Sequence, residues 1–441
     1  MARPDAGARP GGAPSVVIIR GGTVVDETGS RRADVLISDG VIASIGSKMS
    51  RGAAGTVVLD AGGCVVAPGF VDLHTHLREP GREEAETVET GARAAAVGGY
   101  TAVVAMPNTE PAIDSAAVVS QVLDLGASSC CDVAVAGAIT VGRAGELLAP
   151  LGEMAALGVR LFTDDGSAVQ DARLMRRALE YASVLGVTLA QHCEDQSLAA
   201  GGHMHEGEWS SRLGIPGIPA EAEELMVMRD LALCRLTGSP VHFLHLSTAG
   251  SVAMVRGAKA SGLPVTAETA PHHFTLTDAC VASYNPVFKV NPPLRTSADV
   301  AAVKVGLADG TIDAIATDHA PHAQEAKEAP FAQAPPGMLG LETAFALAVD
   351  ELELPIEAVI GLLSWKPARI AGLSGRHGGP LVEGSPANLC VVDTNAPWTV
   401  DPAKLVSKSR NTPYAGRTLS SRVRHTILFG EPVVVDADPQ R

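Results

Sequence analysis

The residues of this chain best suited to chemistry are its histidines, and they fall in clusters. His74 and His76 close the run FVDLHTH as an H-x-H pair. Side chains two apart on a strand share a face, so the two imidazoles converge and can ligate zinc or a similar divalent ion. Further along, VTLAQH ends in His192, VHFLH in His245 and IDAIATD in Asp318. The run VRLFTDDG ends in Asp164, Asp165 and Gly166, where an Asp-Gly turn accounts for one carboxylate more readily than for two. Any one of these residues alone is more often structural. Four His and an Asp, all at the polar ends of apolar runs, point to a shared metal.

Charge counting favours two ions. Four neutral imidazoles and two carboxylates split between two divalent cations leave about +2, or +1 with a bridging hydroxide, which suits an anionic substrate. A single zinc, taking about four ligands, leaves several of these groups unused. Arg78 follows in HLREPG, where a guanidinium can fork a carboxylate; the competing expectation is a salt bridge to Glu79, Glu83 or Glu84. Asn108 (AMPNTEP), Asn291 (KVNPPLR) and His322 (DHAPH) sit at the same kind of terminus, although turn chemistry explains an Asn beside Pro equally well. His272 and His273 follow Pro271 and are expected to shape a loop rather than to bind metal.

The elements that must position these groups alternate. Eight short apolar runs, GFVDLHTH, YTAVVAMPN, DVAVAGAIT, VRLFTDD, VTLAQHCE, VHFLHLS, PVTAETAPHH and TIDAIATDHAPH, are separated by helix-like stretches such as EEAETVETGARAAAVG, LMRRALEYASVLG and AEELMVMRDLALCRLTG. Those stretches carry apolar residues at i, i+3, i+4 and end near Gly. The pattern predicts an α/β fold: a (β/α)8 barrel over residues 69–375, whose C-terminal strand ends form the active rim. No G-x-G-x-x-G, G-x-x-x-x-G-K-[ST] or G-x-S-x-G is present, which argues against nucleotide cofactors and a serine nucleophile. Residues 15–68 and 376–441 instead alternate β-branched and polar residues between Gly turns, predicting one small β-sandwich domain built from both ends of the chain. Residues 1–14, rich in Ala, Pro and Gly, are expected to form a flexible tail.

Composition closes off other classes. Apolar residues make up 46% and charged residues 19%, a globular profile. The net charge of −15 and the lack of a basic stretch exclude a nucleic-acid binder. No apolar run reaches the roughly 18–20 residues of a membrane helix, and the N-terminus lacks the apolar region of a secretory signal. Seven scattered Cys without C-x-x-C suit reduced thiols, hence a cytoplasmic location.

The longer strings DLHTHLREPG, MPNTEPAID, FTDDG, QHCED, HLST, ETAPHHFTL, KVNPPLR and ATDHAPH resemble the amidohydrolase superfamily, and within it dihydroorotases of the bacterial type I. The resemblance runs from the β-rich N-terminal segment to NTPYAG at 411–416. It implies two Zn2+ per chain: one held by His74, His76 and Asp318, the other by His192 and His245. Many superfamily members bridge the metals with a carboxylated Lys, but this chain has no Lys at that strand end. The resemblance therefore assigns the bridge to Asp165, a choice over Asp164 that strand alternation leaves open. It further implies reversible cyclisation of N-carbamoyl-L-aspartate to dihydroorotate, with a metal-bridging hydroxide as nucleophile and Asp318 as acid/base. Arg78, Asn108 and His322 would hold the substrate carboxylate. Asn291 and the Pro336–Gly337 backbone would contact the ring, beneath a covering segment within 324–340. A homo-oligomer is expected, with aspartate carbamoyltransferase as a further partner. The alternatives are a dihydropyrimidinase or allantoinase, disfavoured by Arg78 and the Asp bridge, and a non-catalytic partner of aspartate carbamoyltransferase, disfavoured by the complete ligand set.

Overall fold

A computed structural model describes residues 16–47, 49 and 55–441; the tail expected over 1–14 lies outside the described residues. The eight apolar runs form eight strands: Phe70–Thr75, Tyr100–Ala105, Asp132–Val135, Leu161–Phe162, Thr188–Gln191, Val241–Phe243, Val265–Thr269 and Ala314–Ile315. The first three make one sheet and the last five another, and all their pairings are parallel. Parallel bridges Gly137–Phe162 and Thr75–His319 join the two sheets at both edges, so every strand or its extension has a parallel neighbour on each side.

Both strand faces are covered, which is why these runs read as continuously apolar. Val103 and Ala105 pack outward with helix residues such as Ala92, Val119, Leu179 and Val227. Val104 and Met106 face the other way, onto Leu73, Ala136, Leu161, Ala190, Leu244 and Ala314 from six further strands or their ends. Between the strands lie the expected helices. Val88–Val97 starts on a Thr87/Thr90 capping box, Ala172–Leu185 on an Asp171 cap, and Glu221–Thr237 ends at Gly238 in left-handed backbone. Gly98 departs from the Gly-cap expectation: it keeps right-handed backbone, and a Cβ there would lie 2.2 Å from the Leu341 carbonyl oxygen. Close approach, not conformation, requires that glycine.

The two ends of the chain build two further sheets. One orders Val41–Gly46, Asp34–Ser38, Val16–Arg20 and Val57–Asp60; the other has seven strands and mixes Thr23–Asp26 and Val65–Pro68 with Leu389–Asp393, Arg422–Leu428 and Glu431–Val435. Alternate residues, among them Val17, Ile19, Val35 and Ile37 with Leu389, Val391 and Ile427, share one core. Not all of the C-terminal range lies there. Ser407 donates to Glu86, and Asn411 Nδ2 reaches the carbonyls of Ala320 (3.0 Å) and Gly337 (3.2 Å), beside the strand ends.

Candidate metal centre

The strand ends bring the six candidate ligands together, all buried. Asp165 is at the centre. Its Oδ1 lies 3.3 Å from His74 Nε2 and 3.5 Å from both His192 Nδ1 and His245 Nε2, while its Oδ2 lies 3.6 Å from His76 Nε2. Asp318 Oδ1 is 3.2 Å from His76 Nε2 and 3.7 Å from His74 Nε2. Two donor groups thus meet at His74: one with His76 and Asp318, the other with Asp165 and His245. The buried His74 Nε2 has no hydrogen-bond partner. An orphaned imidazole nitrogen among carboxylate oxygens fits a divalent cation of the zinc type.

The adjacent aspartates have separate roles. Asp164 accepts from the Ile139 (2.8 Å) and Thr140 (3.0 Å) backbone N–H groups and from the Thr140 hydroxyl, tying its turn to the preceding strand end. Only Asp165 faces the histidines. The strand ends at Phe162, so alternation does not extend to either residue.

Burial alone would raise the Asp165 carboxyl, but His74 and hydrogen bonds from His192 and His245 hold it well below the usual range. Asp318 is also lowered: burial opposes ionisation, and His76, His74 and His245 overcome it. Both are therefore ionised and able to face cations.

Two ligand candidates are held from behind. A carboxylate can only accept, so His74 Nδ1–H donates to Glu268 Oε1 (3.1 Å), and His242 Nε2–H donates to Glu268 Oε2 (3.0 Å). Burial works against this carboxylate, yet the two imidazoles hold it down at about 2. His76 Nδ1 donates to Asn108 Oδ1 at 2.8 Å. Each bond fixes a tautomer that leaves Nε2 free for metal. Sequence reasoning did not single out Glu268 or His242, although both lie inside the strings ETAPHHFTL and VHFLH.

Asp72, two residues before His74, accepts from the Thr317 N–H (2.7 Å) and hydroxyl (2.6 Å) and from the Thr75 hydroxyl, clamping the first strand to the eighth. Backbone strain marks the same rim. Arg78, His245 and Asp318 hold φ values of 63°, 29° and 46°, a left-handed region costing non-glycine residues about 1–3 kcal/mol each.

The other candidates surround this group. Arg78 is buried; its Nε donates to the Pro321 carbonyl (3.1 Å) and its Nη2 lies 3.5 Å from His322 Nε2. The salt bridge to a neighbouring Glu does not form. Glu79 instead accepts from the Val88 N–H (2.8 Å) and Glu83 from the Gly81 N–H (2.8 Å). Among the described residues no carboxylate lies in ion-pair contact with Arg78. His322, lowered to about 3 by burial and then by Arg78 and Lys327, is neutral and donates from Nε2 to the Pro336 carbonyl at 2.7 Å. Gly337 N–H donates to the Lys289 carbonyl (2.8 Å), and the His322 bond to Pro336 holds Pro336–Gly337 beside that imidazole. Asn291 Oδ1 is buried without a partner, two residues from Lys289. His272 and His273 lie in a short helix, Pro271–Thr275, with His272 Nε2 3.8 Å from Asp318 Oδ2. They pack beside the centre rather than in a free loop.

This constellation on a strand-and-helix α/β scaffold defines a metal-dependent hydrolase of the amidohydrolase kind. Solved structures agree on the fold. An L-hydantoinase (dihydropyrimidinase) from Arthrobacter aurescens superposes with a TM-score of 0.86 at 25% identity, covering 96% of this chain and 97% of that one. A D-hydantoinase from a Thermus species gives 0.80 at 25%, covering 96% of each. Sequence relatives are more specific. A dihydroorotase of Pelotomaculum thermopropionicum is 51% identical over 427 residues, 95% of this chain and 99% of its own. One from Streptomyces coelicolor is 52% identical over 429 residues, 96% and 99% respectively. Residues 63–251 match the family model described as Dihydro-orotase-like. The chain belongs to the dihydroorotase family.

Proposed function

We propose that the chain interconverts N-carbamoyl-L-aspartate and (S)-dihydroorotate plus water, a step of pyrimidine biosynthesis, on a (β/α)8 barrel rim carrying two Zn2+. The observation that carries this reading is Arg78, a buried guanidinium beside His322 that feels the charges of Asp318 and Asp165 yet has no carboxylate in ion-pair contact among the described residues. A buried cation left unpaired is ready for a substrate carboxylate.

His74, His76 and Asp318 would hold one ion, His192 and His245 the other, with Asp165 between them. Two bound ions supply an acidified water and a polarised carbonyl. In the hydrolytic direction water adds to the ring amide carbon and the C–N bond breaks. Asp318 takes the proton released by the water and delivers it to the leaving nitrogen; its Oδ2, away from His76, is the oxygen suited to this. Arg78 and Asn108 orient the carboxylate, with His322 joining them by exchanging its Nε2–H bond to Pro336 for one to the substrate, and Asn291 with the Pro336–Gly337 backbone orients the ring. Asn108 offers its Nδ2, because its Oδ1 is engaged by His76.

We divide the chain into the barrel, residues 69–375, and a composite β-sandwich domain of 15–68 with 376–441, from which the stretch carrying Ser407 and Asn411 reaches back to the barrel strand ends. The free cysteines suit a reducing cytoplasm, and no helix among the described residues is long and apolar enough to cross a membrane. A homo-oligomer and docking on aspartate carbamoyltransferase belong to the same proposal. The test is an assay of metal-loaded protein with both substrates, in which chelation should abolish turnover. Hydantoin hydrolysis without dihydroorotate turnover would sink the reading.

A further inference from the structure

Two lysines join the covering segment to the wall opposite it, and neither has a carboxylate within ion-pair distance among the described residues. Lys327 ends the short helix Gln324–Lys327. Its Nζ donates to the carbonyls of Pro286 (3.1 Å), Lys289 (3.3 Å) and Pro335 (2.8 Å). Lys289 is buried and reaches in the opposite direction, to the carbonyls of Phe331 (2.9 Å) and Ala332 (3.0 Å). The two side chains cross-link segments 286–289 and 327–335 reciprocally.

An inward-facing ammonium bound only to neutral carbonyls is costly; a methionine would fill such a space without desolvating a charge. What the ammonium adds is three N–H donors in three directions, able to gather carbonyls from separate chain segments. The carbonyls gathered here adjoin the residues assigned above to the substrate ring. Pro335 precedes Pro336 and Gly337, and Lys289, two residues before Asn291, also accepts from the Gly337 N–H (2.8 Å). We propose that Lys327, with Lys289 as its counterpart, is a positioning residue that fastens the covering segment and so sets substrate affinity through Pro336, Gly337 and Asn291. This rests on the reading above that those residues contact the substrate ring.

The charges facing Lys327 agree with that role. Lys289 and Arg78 are its cationic neighbours and His322 is a neutral one. Burial, then Lys289 and Arg78, lower Lys327 to about 7, whereas Arg78 stays charged at about 10. Above about 7 the neutral Lys327 amine has two N–H groups for three carbonyls, so the fastening weakens as pH rises.

The test compares wild type, Lys327→Met and Lys327→Arg by steady-state kinetics and by limited proteolysis within 324–340. In Lys327→Met, KM should rise about tenfold with kcat within about threefold, the pattern of lost uniform binding, and the segment should be cleaved faster. Lys327→Arg should restore protection, and its KM should stay flat above pH 7 where that of wild type climbs. Should Lys327→Met not fold, Lys289→Met, which removes only the Phe331 and Ala332 bonds, should show a smaller shift of the same kind. Wild-type KM and protease resistance in Lys327→Met would overturn the inference, as would a pH dependence of KM shared by wild type and Lys327→Arg. Failure of wild type to turn over dihydroorotate would overturn the functional reading instead, and proteolysis would still decide the fastening.

Discussion

At the floor of the site, side chains support side chains: Glu268 stands behind His74, Asn108 behind His76, and the Asp72 clamp ties the strand end that carries both to the one that carries Asp318. Over it, segment 322–337 is held by ammonium groups, one imidazole and Asn411, all bound to backbone carbonyls. The floor uses side-chain acceptors, the Glu268 carboxylate and the Asn108 amide oxygen, to fix tautomers and ligand directions, which should decide the chemistry. The cover uses neutral acceptors to fix a chain path, which decides the fit. Damage to the floor should therefore appear in kcat or metal content, and damage to the cover in KM.

The largest effect should come from Asp318→Asn, which keeps the shape but cannot carry the proton. Rapid-quench or steady-state assays should show kcat down about 10²–10⁴-fold, with at least one metal equivalent retained. Arg78→Lys comes next. A lysine cannot reproduce the fork, and kcat/KM for dihydroorotate should fall about 10–100-fold with metal content unchanged. Glu268→Gln alters the floor without touching substrate. Competition with a chelator should show metal affinity about 10–100-fold weaker, a readout that needs no turnover. The smallest effect should be Gly337→Ala. A Cβ there would lie 2.7 Å from the Ala320 Cβ and 2.8 Å from His322 Nε2, at φ 135°. KM should rise several-fold while metal content stays constant, with about 1–3 kcal/mol lost in thermal or urea unfolding. A metal loss in Gly337→Ala, or an unchanged metal affinity in Glu268→Gln, would break the division between floor and cover.

The floor is largely legible in the residues themselves, whereas of the cover only the resemblance supplies His322, Asn291 and Pro336–Gly337, and nothing in the sequence supplies the lysine clasp. Periodicity marked each of the eight strands, because a strand buried on both faces must be apolar throughout, and the first polar residues after it stand out. His74, His76, His192, His245 and Asp318 stand out that way. Alternation failed at Asp164 and Asp165, since the strand stops at Phe162 and the following turn decides which carboxylate turns inward. Glu268 went unread because a buried acid inside an apolar run looks like any strand residue until its two histidine partners converge from other strands. The clasp was less visible still. Lys327 bonds to carbonyls, which every residue has, so no side-chain pattern betrays it. Asn411 likewise reaches the rim from a stretch whose neighbours in sequence build a separate sheet.

In the proposed function one site joins a two-metal floor to a carboxylate-binding guanidinium. The most direct measurement is the dihydroorotate turnover rate, titrated against metal equivalents added to the chelator-stripped protein. Activity should rise until two equivalents are bound per chain and then level off. A plateau at one equivalent, or no dihydroorotate turnover with two bound, would contradict the two-metal dihydroorotase reading.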